Sequence, residues 1–410
     1  MSFDLALSGL NAATTDLNVV SNNVANVATT GFKESRAQFA DIYAQTQQGV
    51  SKIAVGNGVR VTAVSQQFSQ GNVTATQNNL DLGLNGNGFF IMSDGGALKY
   101  TRAGAFQVDN GGFIVNSSGE RLQGYPPLST GGFNTGGLGD VQLTTAENPP
   151  SATTSASVTL NLPSAAAAPT NATFDPADPN SYTNTTSLTT YDSLGAAHTA
   201  QLYFVKGSTP NNWTTQLYID GNAVSNPAAG PALSYSATGA LTSPANGKIT
   251  FPAYTPATGG APMNLTVDFS KTSQFGDSFS VNAVTQDGFT TGRLIGIDID
   301  QTGVVQARFT NGKATALGQV ALANFENTQG LQQLGNTEWA ETFASGQPVR
   351  GVAGASGFGT MQSGALESSN VDITAQLVNM ITAQRDFQAN AQVISTTDQV
   401  TQTIIHMAGG

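Results

Sequence analysis

The first thirty residues, MSFDLALSGLNAATTDLNVVSNNVANVATT, constrain this chain more than any other stretch. Laid on a seven-residue repeat, one row takes Phe3, Leu10, Leu17 and Val24, and a second takes Ala6, Ala13, Val20 and Val27. All eight are apolar, the a/d seam of a helix lying lengthwise on another helix. Ser2 as N-cap, Asp4 in the first turn and Gly31 beyond Thr29-Thr30 predict a helix of about 25 residues, about 37 Å long. Its only charges are Asp4 and Asp16, and its outer positions are largely Asn, Thr and Ser. Such a helix has little support of its own and depends on burial against partners.

The far end supplies a second helix. From Ser369, with Asp372 three residues later as a capping box, the row Ile373, Met380, Phe387, Ile394 is apolar at seven-residue spacing. The neighbouring row Leu377, Gln384, Ala391, Asp398, Ile405 is mixed. Two long, nearly uncharged amphipathic helices at opposite termini suggest a device for assembly between molecules. A two-helix base clasping the body of one subunit satisfies the same spacing.

Composition narrows the class. At 410 residues the chain has room for two or three domains. Charged residues are 10% of it, against roughly a quarter in ordinary soluble proteins, so its surface must hydrogen-bond through hydroxyls and amides. A net charge of −11 with no Lys/Arg cluster argues against nucleic acid. With no cysteine there are no disulfides and no thiolate metal sites. The N-terminus lacks a basic n-region and apolar h-region, so no cleavable secretory signal is expected, and no 18-residue apolar run spans a membrane.

Residues 31–71 and 336–368 read as connectors, with a short helix expected around Ala37 to Gln47 and a strand around Gly58 to Val64. Residues 72–125 follow the local rules of a β-meander, with GNG, SDGG, DNGG and NSSGE turns between Leu/Phe/Ile/Val runs. The texture returns from Leu294 to Phe325, where Asn311-Gly312 predicts a type I′ hairpin turn before a strand at Val320 to Phe325. These pieces, 72–145 and 285–335, form one discontinuous inner β domain, interrupted by residues 146–284. That insert holds short strands punctuated by Pro, Gly and Asn, as in a sandwich or barrel. The expected class is therefore mainly β with terminal α-helices. Residues 1–30 and 369–410 make a coiled-coil-like base outermost in sequence, placing both ends at one pole and the insert at the other.

Chemistry finds no foothold. The two histidines, His198 and His406, fall in different predicted domains, which disfavours a His-based triad or a multi-histidine metal site. The run Asp298 to Gly303 opens like a calcium loop, but its twelfth position is Phe309 where a bidentate Glu is needed, so a hairpin turn is expected. No enzyme, cofactor or metal is expected.

At Asn26-Val27-Ala28-Thr29-Thr30-Gly31-Phe32-Lys33 the sequence closely resembles the N-terminal signature of bacterial flagellar rod and hook proteins. The likeness continues through GNGFF, TRAGAF, NGGFIVNSSGERLQGY and LESSNVDITAQLVNMITAQRDFQANAQVI, with Asn26, Thr29, Gly31, Phe32 and Lys33 as the motif residues. Rod members are shorter, and Tyr191-Asp192-Ser193-Leu194-Gly195 with His198-Thr199 looks like the hook members. The resemblance implies a subunit of a short, curved, hollow tube that works as a universal joint between motor and filament. It implies export through the flagellar type III apparatus without a cleaved signal, and an extracellular place in the hook attached to the basal body. Implied partners are further copies of the chain, the distal rod protein, the hook-capping protein and the hook-filament junction protein. The alternatives are a distal rod subunit, or a secreted β-rich protein that binds carbohydrate or a cell surface.

Overall fold

The computed structural model describes residues 2–42, 56–143, 147–224 and 230–408. It is mainly β with a helix at each end. The first helix, α1, is Ser2–Ala25. It stops short of Thr29 because side chains take over the backbone bonding: Asn26 Nδ2 donates to the Asn22 carbonyl (2.9 Å) and Thr29 Oγ1 to Asn26 Oδ1 (3.1 Å). Val27, expected on the seam, therefore lies in the turn after the helix. The second helix, α2, is Ile373–Ala408. Its cap is Asp372 rather than Ser369: Asp372 Oδ1 accepts from the N–H groups of Thr374 and Ala375 (2.8 and 3.2 Å).

The helix expected around Ala37 to Gln47 is not formed in its described part. Strand β1 (Ser35–Asp41) pairs antiparallel with β2 (Val59–Gln66), Ala37 opposite Val64. A partner strand that satisfies the backbone outweighs a weak helical period, and residues 43–47 lie outside the described residues.

The chain forms two compact units. The first comprises Met1–Thr145, Gly296–Arg308 and Ala314–Gly410; the second comprises Ala146–Ile295 and Phe309–Lys313. In the first, a large sheet runs in the order Val304–Phe309, Ala314–Asn324, Arg121–Tyr125, Phe89–Asp94, Ala97–Thr101, Glu338–Ala340, Gln332–Gly335. The run Phe89-Phe90-Ile91-Met92 is wholly buried because both sheet faces are covered. Phe90 and Met92 join Leu82, Leu122, Val320 and Met361 in one core. Phe89 and Ile91 join Tyr100, Phe325 and Trp339 in another, where the Phe89 and Trp339 rings meet edge to face at 5.6 Å.

The meander expectation holds only in part. Asp94-Gly95-Gly96 turns the hairpin between Phe89–Asp94 and Ala97–Thr101, with both glycines in the left-handed region. Leu82–Asn85, however, pairs with Thr360–Ser363, and Val73–Ala75 with Ala365–Glu367. Sequence-distant strands took these edges because each needed a ladder partner. At Asn311-Gly312 only the glycine has positive φ (+74°), so the turn is a type I turn closed by a left-handed Gly and not type I′. The strand that follows begins at Ala314, six residues before the expected start.

The second unit is a sandwich. One sheet places Ser155–Pro163 antiparallel to Ser280–Gln286 and parallel to Thr266–Asp268 and Ser273–Phe275. The other runs Asn184–Tyr191, Ala197–Lys206, Asn212–Ile219, Ala232–Tyr235, Leu241–Ser243. Val158, Leu160, Leu202, Phe204, Trp213, Leu217, Val267 and Phe269 fill the core between them.

Candidate functional site

The two chain ends meet. A Cβ at Gly9 would stand 2.5 Å from Asn390 Oδ1, while Asn23 Nδ2 donates to Gln376 Oε1 (3.2 Å), so α1 and α2 run antiparallel. Of the predicted seam in α1, Ala6, Ala13 and Val20 are buried, Leu10, Leu17, Val24 and Val27 are half-buried, and Phe3 is exposed. In α2 the buried side chains are Gln376 and Ala383, neither of them on the predicted seam. Met380, Ala391 and Ile394 are half-buried, and Ile373, Leu377 and Phe387 are exposed. The reason is steric: Gly9 and small residues let the backbones approach closely, which turns the larger apolar side chains of α2 outward. Val378, Ile381, Val393, Val400, Ile404, Ile405 and Met407 are exposed as well.

The signature residues bind the ends to the body. Gly31 has φ +69°, and a Cβ there would stand 2.5 Å from the Ala103 nitrogen, so only glycine fits. Its N–H donates to the Glu367 carbonyl (2.8 Å). Phe32 is buried, and Asn26 and Thr29 bond each other. Lys33, fully buried, donates to Glu367 Oε1 (2.7 Å) and to the Ser69 carbonyl (2.8 Å). Arg102 reaches Glu367 Oε2 (3.3 Å) and donates to the Gly86 carbonyl (2.7 Å). Burial pushes the Lys33 ammonium below the ordinary lysine range against the opposing pull of Glu367, and burial also lowers Arg102. Asn370 extends the latch, accepting from the Glu34 N–H (2.7 Å) and donating to the Gln67 carbonyl (2.8 Å). Glu367, Arg102, Gln376 and Asn370 are the residues that sequence reasoning did not single out. For Arg102 and Glu367 a signal was there: a charged group in TRAGAF and another in LESS, inside a chain with few charges.

A second ionic cluster sits on the sheet of the same unit. Lys99 bonds Glu120 and Asp94 (2.9 Å to the latter) and lies 3.7 Å from Glu338, while Asn116 Nδ2 donates to Glu120 (2.8 Å) and Glu338 (3.0 Å). Burial, then the adjacent Glu120 carboxylate, pushes Glu338 up to about 7. Burial also raises Glu120, but hydrogen bonds from Glu338, Lys99 and Asn116 hold it below the usual range. The folded state therefore binds a proton at Glu338 that the unfolded chain releases near 4.5, so this contribution to stability is lost as pH rises towards 7. The stability of Glu338→Gln relative to wild type is expected to improve between pH 5 and pH 8. Urea midpoints at the two values check this, and a pH-independent difference rules the shared proton out.

In the second unit, Asp192 and His198 of the YDSLG segment are structural. Asp192 Oδ1 accepts from Leu194 and Ala196 N–H (2.9 and 2.8 Å), and His198 bridges Asp220 (2.5 Å) and Asp192 (3.4 Å). Burial raises Asp192, but hydrogen bonds from Thr258, Ala196 and His198 prevail and hold it down to about 2. Among the described residues, no group of three or more His, Cys, Asp or Glu is placed to hold a metal ion, and no helix is long and apolar enough to cross a membrane.

A chain whose ends are latched by buried ions, with one side of each helix left uncovered, defines a structural subunit. Family models match along its length: "Flagella basal body rod protein" at residues 3–33, "Flagellar hook protein FlgE/F/G D1 domain" at 83–166, "Flagellar basal body protein FlaE D2 domain" at 161–289 and "Flagellar basal body rod FlgEFG protein C-terminal" at 362–407. Flagellar hook protein FlgE of Escherichia coli is 38% identical over 414 residues, covering 99% of this chain and 100% of that one. FlgE of Borreliella burgdorferi is 35% identical over 444 residues, covering 98% of each. The crystal structure of Helicobacter pylori flagellar hook protein FlgE2 shares the fold over 72% of this chain and all of its own, with a TM-score of 0.55 at 14% identity. The chain belongs to the flagellar hook protein family, the structural subunits of the bacterial flagellar hook.

Proposed function

We propose that this chain polymerises into the curved, hollow tube of the hook and passes motor torque to the filament as a universal joint. The observation that carries the reading is the uncovered apolar side of α2, with Leu377, Val378 and Ile381 exposed beside a partner helix that leaves them free. Covering such a face with neighbouring copies removes apolar area from water at about 25 cal/mol per Å², which must offset the cost of ordering the assembly. In this reading residues 1–30 and 369–410 are the assembling core, 31–71 a connector, and 72–145 with 285–335 an inner domain carrying the insert 146–284. Residues 285–295 and 309–313 pack instead in the second compact unit, and 336–368, expected as a connector, supplies strands and core side chains such as Trp339 and Met361 to the inner domain. Of the seam residues predicted from sequence, the exposed Phe3, Ile373, Leu377 and Phe387 serve contacts between subunits, whereas Ala6, Ala13 and Val20 are already buried within one chain. Contacts through hydroxyls, amides and water, with few fixed ion pairs, remake at low cost as the tube bends. The subunit leaves the cell through the type III apparatus without a cleaved signal, and meets the distal rod, the hook-capping protein and the hook-filament junction protein. Salting out pure protein and viewing it by electron microscopy is expected to show tubes. Persistent monomers under those conditions count against the polymer.

A further inference from the structure

Phe343 is the most exposed large apolar side chain of the described residues, with a relative accessibility of 105%. Its loop is not slack. Thr342 N–H donates to Ser345 Oγ (2.9 Å), which donates back to the Thr342 carbonyl (2.9 Å). Thr342 Oγ1 donates to the Gly330 carbonyl (2.5 Å) and accepts from Ala344 and Ser345 N–H (3.1 and 3.2 Å). Asn327 Nδ2 holds the Ala344 carbonyl (2.9 Å), and at Gly330 a Cβ would stand 2.4 Å from the Ala344 carbonyl carbon. Ser345 is buried beneath the loop. The backbone on either side of the ring is thus pinned to the body, so the loop presents the ring outward.

We propose that Phe343 is a preformed docking knob for a second copy of this chain, a specific contact between subunits of the polymer, and thus resting on the function proposed above. A side chain carried on a backbone already fixed before binding costs less ordering on docking, and aromatic residues, Phe among them, are enriched at interfaces. The choice of partner follows from charge. Each copy carries −11, so two copies approach at least cost through neutral surface. Residues 342–349, TFASGQPV, hold no charge, and Glu341 just before them is engaged by the Tyr100 hydroxyl (2.9 Å). The loop also belongs to the same compact unit as the uncovered helix face.

The absence of native cysteine makes the test direct, because Phe343→Cys carries the only thiol. Phe343→Cys is co-assembled as a minor fraction with wild-type chain, and its maleimide labelling is timed in monomer and in tubes. Labelling is expected to slow by about ten-fold or more on assembly, and Phe343→Ala to raise the protein concentration needed for tubes by about ten-fold, with Phe343→Leu between. Labelling in tubes at the monomer rate, or Phe343→Ala assembling at the wild-type concentration, overturns the proposal. Wild-type chain that forms no tubes refutes the polymer reading itself, a result separate from either.

Discussion

Replacing Leu377 and Ile381 together by Asp is expected to abolish tube formation at the wild-type concentration while leaving the isolated subunit's unfolding free energy, from urea denaturation, within about 0.5 kcal/mol of wild type. The two side chains lie one turn apart on α2, 46% and 50% exposed, so in the monomer a carboxylate at either stays in water. In the polymer each substitution forfeits about 1 kcal/mol of further apolar burial, roughly half the full-burial value because each side chain is already half covered, and puts a charge where a neighbouring copy should close. The combined loss corresponds to roughly a hundred-fold rise or more in the concentration at which tubes appear. Sedimentation of tubes against total protein reads it directly. Tubes forming at the wild-type concentration would show that this face is not between subunits.

The second large effect lies inside the monomer. Glu367→Ala leaves Lys33 and Arg102, both buried, without their shared carboxylate, and is expected to cost about 3–5 kcal/mol. Lys33→Ala on top of it should cost far less than Lys33→Ala alone, because the three groups act together. With only Trp213 and Trp339 in the chain, a Trp213→Phe background lets Trp339 report the unit that holds the latch. Urea unfolding followed by its fluorescence measures the effect. A loss below about 1 kcal/mol would mean that solvent reaches the site once Glu367 is gone.

Both predictions rest on features that differ in how far they were visible beforehand. The seven-residue rows of α1 announced a helix and its apolar side, yet not which molecule covers it. The buried side of α2 follows Gln376 and Ala383 instead of the more apolar Ile373 row, because close approach at Gly9 favours small and hydrogen-bonding partners. The Asn26 to Lys33 signature was legible as a pattern, but the burial of Lys33 was not. Its partner, Glu367, lies 334 residues away, and no periodicity connects the two.

What the sequence by itself determined is local. A helix, a hairpin turn at Gly95-Gly96 and an Asx-stabilised turn at Asp300 to Gly303 are each set by residues within one or two turns of one another, whose backbone preferences and short hydrogen bonds need no other part of the chain. Only the tertiary structure decided that Leu82–Asn85 would take Thr360–Ser363 as its neighbour, that β1 would replace a helix, and that one acid would neutralise two distant cations. Unpaired backbone and buried charge are costly wherever they arise, but the chain meets those costs with whichever partner folding brings near, and proximity in space is not written in the order of residues.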